Sequence, residues 1–287
     1  MLPVSTVNRR TPRRRGFTLI ELLVAVAIIS VLIALIAPAV LSALRSAREA
    51  RVRVEIGNLA SAIAAFKAQF GHEPPSRITL HANQVAWDAD PTSKGIIASL
   101  WPQFDFTQND LSLAGSVTLN APECLVFFLG GVPTSVAAPA IPAPTGFSKN
   151  VSRPFQAGTS GRDGPFFEFD KSRLIRTNNP ANTSTNLIVY VDSVSGNSGI
   201  AKPYLYFSSY EGTGYVAGDL TGIANVYLTA SGGPAWNPQS FQIISAGPDG
   251  EYGSGGVYDT AQSNAGLSSP FDFDNITNIT TSTRLKP

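Results

Sequence analysis

The sequence predicts an α+β chain: one long helix near the amino end, then a body built from an antiparallel sheet and long loops. Three observations lead there. Residues 22–44 carry no charge. An apolar stripe at alternating spacings of four and three follows them, up to a Gly and a Pro-Pro pair. Beyond residue 71, aromatic and β-branched runs stand between Gly, Pro, Asn and Ser clusters, which is strand-and-turn punctuation.

The first element is the apolar run. At 1.5 Å per residue, the 23 residues Leu22–Leu44 form a helix long enough for a hydrocarbon core of ~30 Å. Five arginines, Arg9, Arg10, Arg13, Arg14 and Arg15, stand before Phe17 with no acid among them. By the positive-inside rule that end stays cytoplasmic and the remainder crosses the membrane. A secretory signal peptide with an A-x-A site at Ala37-Pro38-Ala39 and a plain single-pass anchor are the competing explanations. The run is too long for a typical signal-peptide core, and a plain anchor gives no purpose to Glu21 at its front edge.

The helix is expected to continue. Val52, Ile56, Leu59, Ile63, Phe66 and Phe70 make one face, with Arg51, Arg53, Glu55 and Lys67 off it, an amphipathic pattern that buries itself against the sheet. A coiled-coil seam is the alternative, over only two heptads. Gly71 suits the position after a helix end, and Pro74 and Pro75 cannot continue it.

In the body, residues 78–148 read as loop-rich, with a Pro/Ala tract at 133–145 that resembles a surface excursion. Pro122–Leu129 is a short helix or a buried strand, which periodicity does not decide. Strands are predicted at Pro165–Asp170, Asn186–Asp192, Pro203–Tyr210 and Ser240–Ser245. Glu168 and Asp170 would then share one exposed strand face. With no helical periodicity between those strands, βαβ crossovers have nothing to be built from.

Charge excludes one class of partner. The whole chain carries +1, but from Gly71 onward 11 basic residues face 17 acidic ones, a net −6. No basic stripe exists there for a phosphate backbone, so nucleic acid is not an expected partner. Catalysis has little support either. Cys124 is the only cysteine and sits in an apolar setting suited to a small core residue. His72 and His81 are the only histidines, neither with a marked partner, and no nucleophile elbow, zinc spacing or phosphate loop appears. The chain is not expected to be an enzyme.

Gly16-Phe17-Thr18-Leu19-Ile20-Glu21, preceded by arginines and followed by the apolar run, resembles the processing site of type IV pilin-like proteins. The resemblance implies a pilin-like fold and a bacterial protein held by a single pass in the inner membrane, its head in the periplasm. It implies removal of a basic leader (1–16) by a prepilin peptidase/N-methyltransferase that cuts after Gly16 and methylates Phe17. The expected organisation is then a transmembrane and assembly helix at 17–44, its amphipathic continuation at 45–70, and a β-rich head at 71–287. Glu21 matches the family's helix-start glutamate and Pro38 its helix-bending proline. A carboxylate in hydrocarbon costs roughly 2.5–3.5 kcal/mol; the resemblance implies that the Phe17 ammonium of a neighbouring subunit balances it and sets register. Snorkelling toward headgroups is the alternative.

"GPFFEFDKSRL", "PYLYFSSY" and "FQIISAGPDGEYGSGG" are similar, more loosely, to the heads of G-type pseudopilins of type II secretion. This implies a filament subunit whose partners are its own copies, other pseudopilins, membrane lipid and an inner-membrane assembly platform. A minor type IV pilin and a membrane-tethered periplasmic binding module are the alternatives. It also implies a Ca²⁺ site on the glycine-rich loop, with Asp249 as one ligand and either Asp259 or the pair Asp272 and Asp274 as further ones. Hard Ca²⁺ takes six to eight oxygens, which acids and turn carbonyls supply. An EF-hand is excluded by spacing, and Asp-Gly is also a common turn dipeptide.

Overall fold

A computed structural model of the chain describes residues 17–132, 144–158, 161–176, 187–194, 201–281 and 284–285. The leader with Gly16, residues 133–143 of the Pro/Ala tract at 133–145 and the start of one strand candidate, Asn186, lie outside them. The chain divides into two compact units, Met1–Ala47 and Arg48–Pro287.

Helix α1 runs Leu19–Phe70. Its apolar part is long enough to cross a membrane, and its most apolar window is wholly exposed. Pro38 stands inside the helix; lacking an N–H, it leaves the Ala34 carbonyl without the usual i+4 donor. At the far end Gly71, at φ 83°, donates to Lys67 O at 2.8 Å. A left-handed residue just past the last turn is the expected glycine cap.

Within Arg48–Pro287 the predicted stripe is the core face. Val52, Ile56, Leu59, Ile63 and Phe66 are buried and Phe70 packs against the same cluster. The Phe66 ring meets Phe128 and Phe166 edge-on at 5.8 and 5.4 Å, and Phe70 meets Trp101 at 5.1 Å. The stripe thus packs on the head.

Residues 78–130 are far more regular than their loop-rich composition predicts. Strand β1 (Ile78–Leu80) pairs antiparallel with β2 (Val117–Leu119). Between them lie α2 (Gln84–Ala89) and α3 (Pro91–Leu100). Asn83 caps α2 through Ala86 N and Asp90 caps α3 through Ser93 N, with Pro91 in the first helical turn, where its missing N–H costs nothing. The ambiguous 122–129 run is helix α4, Ala121–Gly130, started by a capping box between Asn120 and Glu123. α4 lies at the centre, against the later strands β6 (Ile188–Tyr190) and β7 (Leu205–Ser208).

The remaining strands are short: β3 (Phe147–Ser148), β4 (Arg162–Asp163), β5 (Leu174–Arg176), β8 (Tyr227–Leu228), β9 (Phe241–Ser245), β10 (Gly256–Val257) and β11 (Ile276–Thr277). They do not form one sheet. The largest has the order β11-β9-β7 and is antiparallel throughout. β1/β2, β3/β4 and β5/β6 are antiparallel pairs, and β8/β10 is a parallel one. Three predicted strands appear as β6, β7 and β9. The fourth, Pro165–Asp170, is irregular: Phe166 N and Phe167 N both donate to Leu129 O, and the rings fill the core and cover Tyr190 instead of lining a ladder. Glu168 and Asp170 accordingly share no strand face; Asp170 caps the 3₁₀ turn Lys171–Arg173.

Candidate functional site

The residues bearing on function fall into three groups. The first is the start of α1. Thr18 and Glu21 form a reciprocal capping box: Glu21 Oε2 accepts from Thr18 N at 2.8 Å and from Thr18 Oγ1 at 2.7 Å, while Glu21 N donates to Thr18 Oγ1 at 3.3 Å. Such a box satisfies two orphan donors of a helix start. All three bonds leave Glu21 Oε1 open. Phe17 is 83% exposed. The Thr-x-x-Glu spacing was readable in the sequence as a helix start, beside the processing signal that overlaps it.

The second group holds the inner half of α1 to the head. Glu55 accepts from Arg173 Nη1 at 2.6 Å, Arg173 Nη2 at 2.7 Å, Tyr190 OH at 2.7 Å and Tyr204 OH at 2.5 Å. The Arg173 guanidinium also lies 4.3 Å from the Tyr190 ring centre. Burial pushes the Glu55 carboxyl up, but the bonds from Arg173, Tyr204 and Tyr190 outweigh it and hold the group below the usual range. Nearer the membrane segment, buried Glu49 takes Arg284 Nε at 2.8 Å, and Arg53 donates to the carbonyls of Thr277 and Thr280. Glu49, Arg53 and Glu55, all off the apolar stripe, are therefore docking points, a role that spacing along α1 does not reveal.

The third group is the acidic loop. Asp249 and Asp274 come together: Asp274 Oδ2 accepts from Asp249 N at 2.9 Å. Gly247, at φ +67°, permits this approach, since a Cβ there would sit 2.2 Å from Asp274 O. Asp274 Oδ1 is buried and has no hydrogen-bond partner among the described residues. Burial first, then the charge of Asp249, pushes the Asp274 carboxyl up to about 7; burial also raises Asp249. Asp272 is committed elsewhere, fully buried and accepting from Tyr227 OH, Ser254 N and Gly255 N at 2.8–3.1 Å. Asp259 accepts from Ala261 N and Gln262 Nε2 within its own turn. Asn275 Nδ2 donates to Tyr227 OH and Tyr252 O.

A hard divalent cation suits the Asp249–Asp274 pair in donor chemistry. It would satisfy the orphaned Oδ1 and offset the repulsion between the two carboxylates. Among the described residues no group of three or more His, Cys, Asp or Glu side chains could hold a metal, so among these residues its further ligands would be carbonyls or water.

Neither histidine is without a partner. His72 Nδ1 meets Glu211 Oε2 at 3.2 Å, and His81 bridges Ser116 and Asp90. Cys124 is buried, and burial pushes its thiol well up, the opposite of what a nucleophile needs.

A continuous helix with a membrane-length, fully exposed apolar half, joined in sequence to an α+β head with antiparallel sheets, is consistent with the pilin-like fold that the sequence predicts. Residues 11–37 match the family model described as Prokaryotic N-terminal methylation motif. The chain thus carries a type IV pilin-like prepilin signal, which implies processing by a prepilin peptidase and assembly of the pilus type. No curated protein and no solved structure matches the chain.

Proposed function

We propose that the chain is a structural subunit of a type II secretion-type periplasmic filament, a pseudopilin nearest to the G-type, and not an enzyme. The leader is cut after Gly16, Phe17 is N-methylated, α1 remains in the inner membrane, and the head stands in the periplasm. Other copies, other pseudopilins and an inner-membrane assembly platform are its partners. Its work is mechanical: growth of the fibre drives or gates exported protein.

The observation that carries this reading is the match at residues 11–37 placed directly on a helix whose apolar half is exposed along its length. A face that apolar needs lipid or other helices around it. The capping box supports a specific role for Glu21. Its Oε2 is held by Thr18, which aims the carboxylate back toward the chain start and leaves Oε1 for the ammonium that the cut creates. In a stacked bundle a neighbour's ammonium answers that oxygen, and a misplaced subunit leaves both charges unpaired in a dry core. Ca²⁺ at Asp249 and Asp274 would hold the 247–256 loop against the 272–277 segment, supplying charge neutralisation and no catalytic chemistry.

Glu21→Ala tests the assembly role. Filament recovered by shearing should fall to background while leader removal continues. Wild-type recovery from the variant would refute it.

A further inference from the structure

A cleft of about 570 Å³ opens between the start of β1, the first turns of α3 and the segment 210–219. It is of the size that takes small ligands, about 300–1,000 Å³. A smaller recess of about 90 Å³ shares Ile96 and Tyr210 with it and extends it toward His72 and Glu211. Neither the prepilin signal nor the assembly helix has a use for this space.

Its lining combines one open donor with one open acceptor. The Arg77 guanidinium makes no hydrogen bond or ion pair among the described residues. Asp219 is only 8% exposed, and its Oδ2 is fixed by Ser76 Oγ at 2.7 Å and by Tyr210 OH, while its Oδ1 accepts nothing from the described residues. Both groups line the cleft, and the guanidinium lies beside the residue preceding Asp219: a Cβ placed on Gly218 would stand 3.7 Å from Arg77 Nη1. Asp90, the other acid of the lining, is already engaged by His81 Nε2 and Ser93 N. Hydroxyls of Thr79, Thr92 and Thr213 and the apolar side chains of Ile96 and Val216 complete the wall; Val216 is 49% exposed.

The rim is strained. Tyr210 and Glu211 are consecutive non-glycine residues at φ 48° and 59°, left-handed backbone that side chains adopt only at a cost. The turn places Tyr210 where its hydroxyl meets Asp219. Strain of this kind, at a turn whose Tyr210 both lines the cleft and orients its carboxylate, is what a pre-organised binding site stores.

A bare anion would meet Asp219 and a bare cation would meet Arg77. A ligand that donates and accepts from adjacent atoms and also has an apolar face satisfies the whole wall. We propose that this cleft binds a neutral saccharide, one pair of adjacent hydroxyls spanning Asp219 Oδ1 and the Arg77 guanidinium, with the C–H face of the ring on Ile96 and Val216. The hydroxyl that donates to Asp219 accepts nothing from it, and its neighbour accepts from Arg77, so both open groups are used at once.

The experiment is titration calorimetry on the full chain in phosphatidylcholine nanodiscs, which carry no sugar. The probes are cellotetraose, maltotetraose and chitotetraose, with tetra-aspartate as the peptide control. Saturable binding of at least one tetrasaccharide is expected, with Kd raised tenfold or more by Arg77→Ala and by Gly218→Leu. Arg77 is exposed, and Gly218 has room for a Cβ without positive φ, so both variants should keep the wild-type melting temperature. Failure of all three sugars to saturate, binding insensitive to both substitutions, or Arg77-dependent binding of tetra-aspartate alone would each overturn the proposal. None of these results bears on filament assembly.

Discussion

Replacing Glu55 with alanine should unlock the inner half of α1 from the head. Both partners of the pair are largely buried, with side-chain exposures of 18% for Arg173 and 14% for Glu55. Removing one member of a buried ion pair costs about 3–5 kcal/mol, because the other charge stays behind without its counter-ion. Arg173 keeps two bonds to Val191 O, at 2.9 and 2.6 Å, and the Tyr190 ring beneath it, which places the loss at the lower end, about 3 kcal/mol. Tyr204, fully buried, loses its acceptor as well. For a head of this size each kcal/mol moves the melting temperature by about 2–4 °C, so Glu55→Ala should lower it by roughly 6–12 °C. The assay is near-ultraviolet circular dichroism of the detergent-solubilised full chain at fixed calcium. Arg173→Leu in the same background should restore part of the loss, since an apolar replacement leaves no stranded charge. A drop below 2 °C for Glu55→Ala, or simple additivity of the two substitutions, would refute the reasoning.

Other outcomes follow from the same structure. Phe66, fully buried among Phe70, Phe128 and Phe166, should cost about 3–5 kcal/mol on truncation to alanine; Val54→Ala, at a site 64% exposed, should stay within about 0.5 kcal/mol. Equal melting temperatures for these two variants would contradict the placement of the stripe. The acidic loop predicts a pH dependence. With the Asp274 carboxyl raised to about 7 in the folded chain and ordinary when unfolded, the folded state holds a proton that the unfolded state has released. Without divalent cation, stability should fall as pH rises from about 4 to 7 and then level off. At pH 8, Ca²⁺ at a hundred times its Kd should restore about 2.7 kcal/mol, and at pH 4 it should do little; a melting temperature at pH 8 indifferent to calcium would remove the site.

Much of the frame was legible because it is local. The apolar spacing from Val52 to Phe66 and the glycine at 71 state a helix and its end without reference to anything distant. The runs that became β6, β7 and β9 carry the β-branched and aromatic residues of buried strands. "PFFEFD" has the same composition but is irregular, because Leu129 O captures two of its amides. α2, with six residues, is too short for a 3.6-residue period to declare itself; the caps at Asn83 and at Asp90-Pro91 were the available signals. At the sites, residue type was readable and partnership was not. Asp249 stood out in its glycine-rich loop and Asp274 in "FDFDNITN", but what separates them from Asp272 is Tyr227 and the amides of Ser254 and Gly255, which only the folded chain brings in. Glu55 and Arg173 lie 118 positions apart, with no local pattern to link them.

The filament account stands on a new amine at Phe17. Intact-mass and N-terminal peptide mass spectrometry of the protein isolated from its own cells reads that atom directly. The account predicts a first residue of N-methyl-Phe17 with residues 1–16 gone. A chain that keeps its arginine-rich start, or one that begins at Val40 after signal-peptidase cleavage, would contradict it.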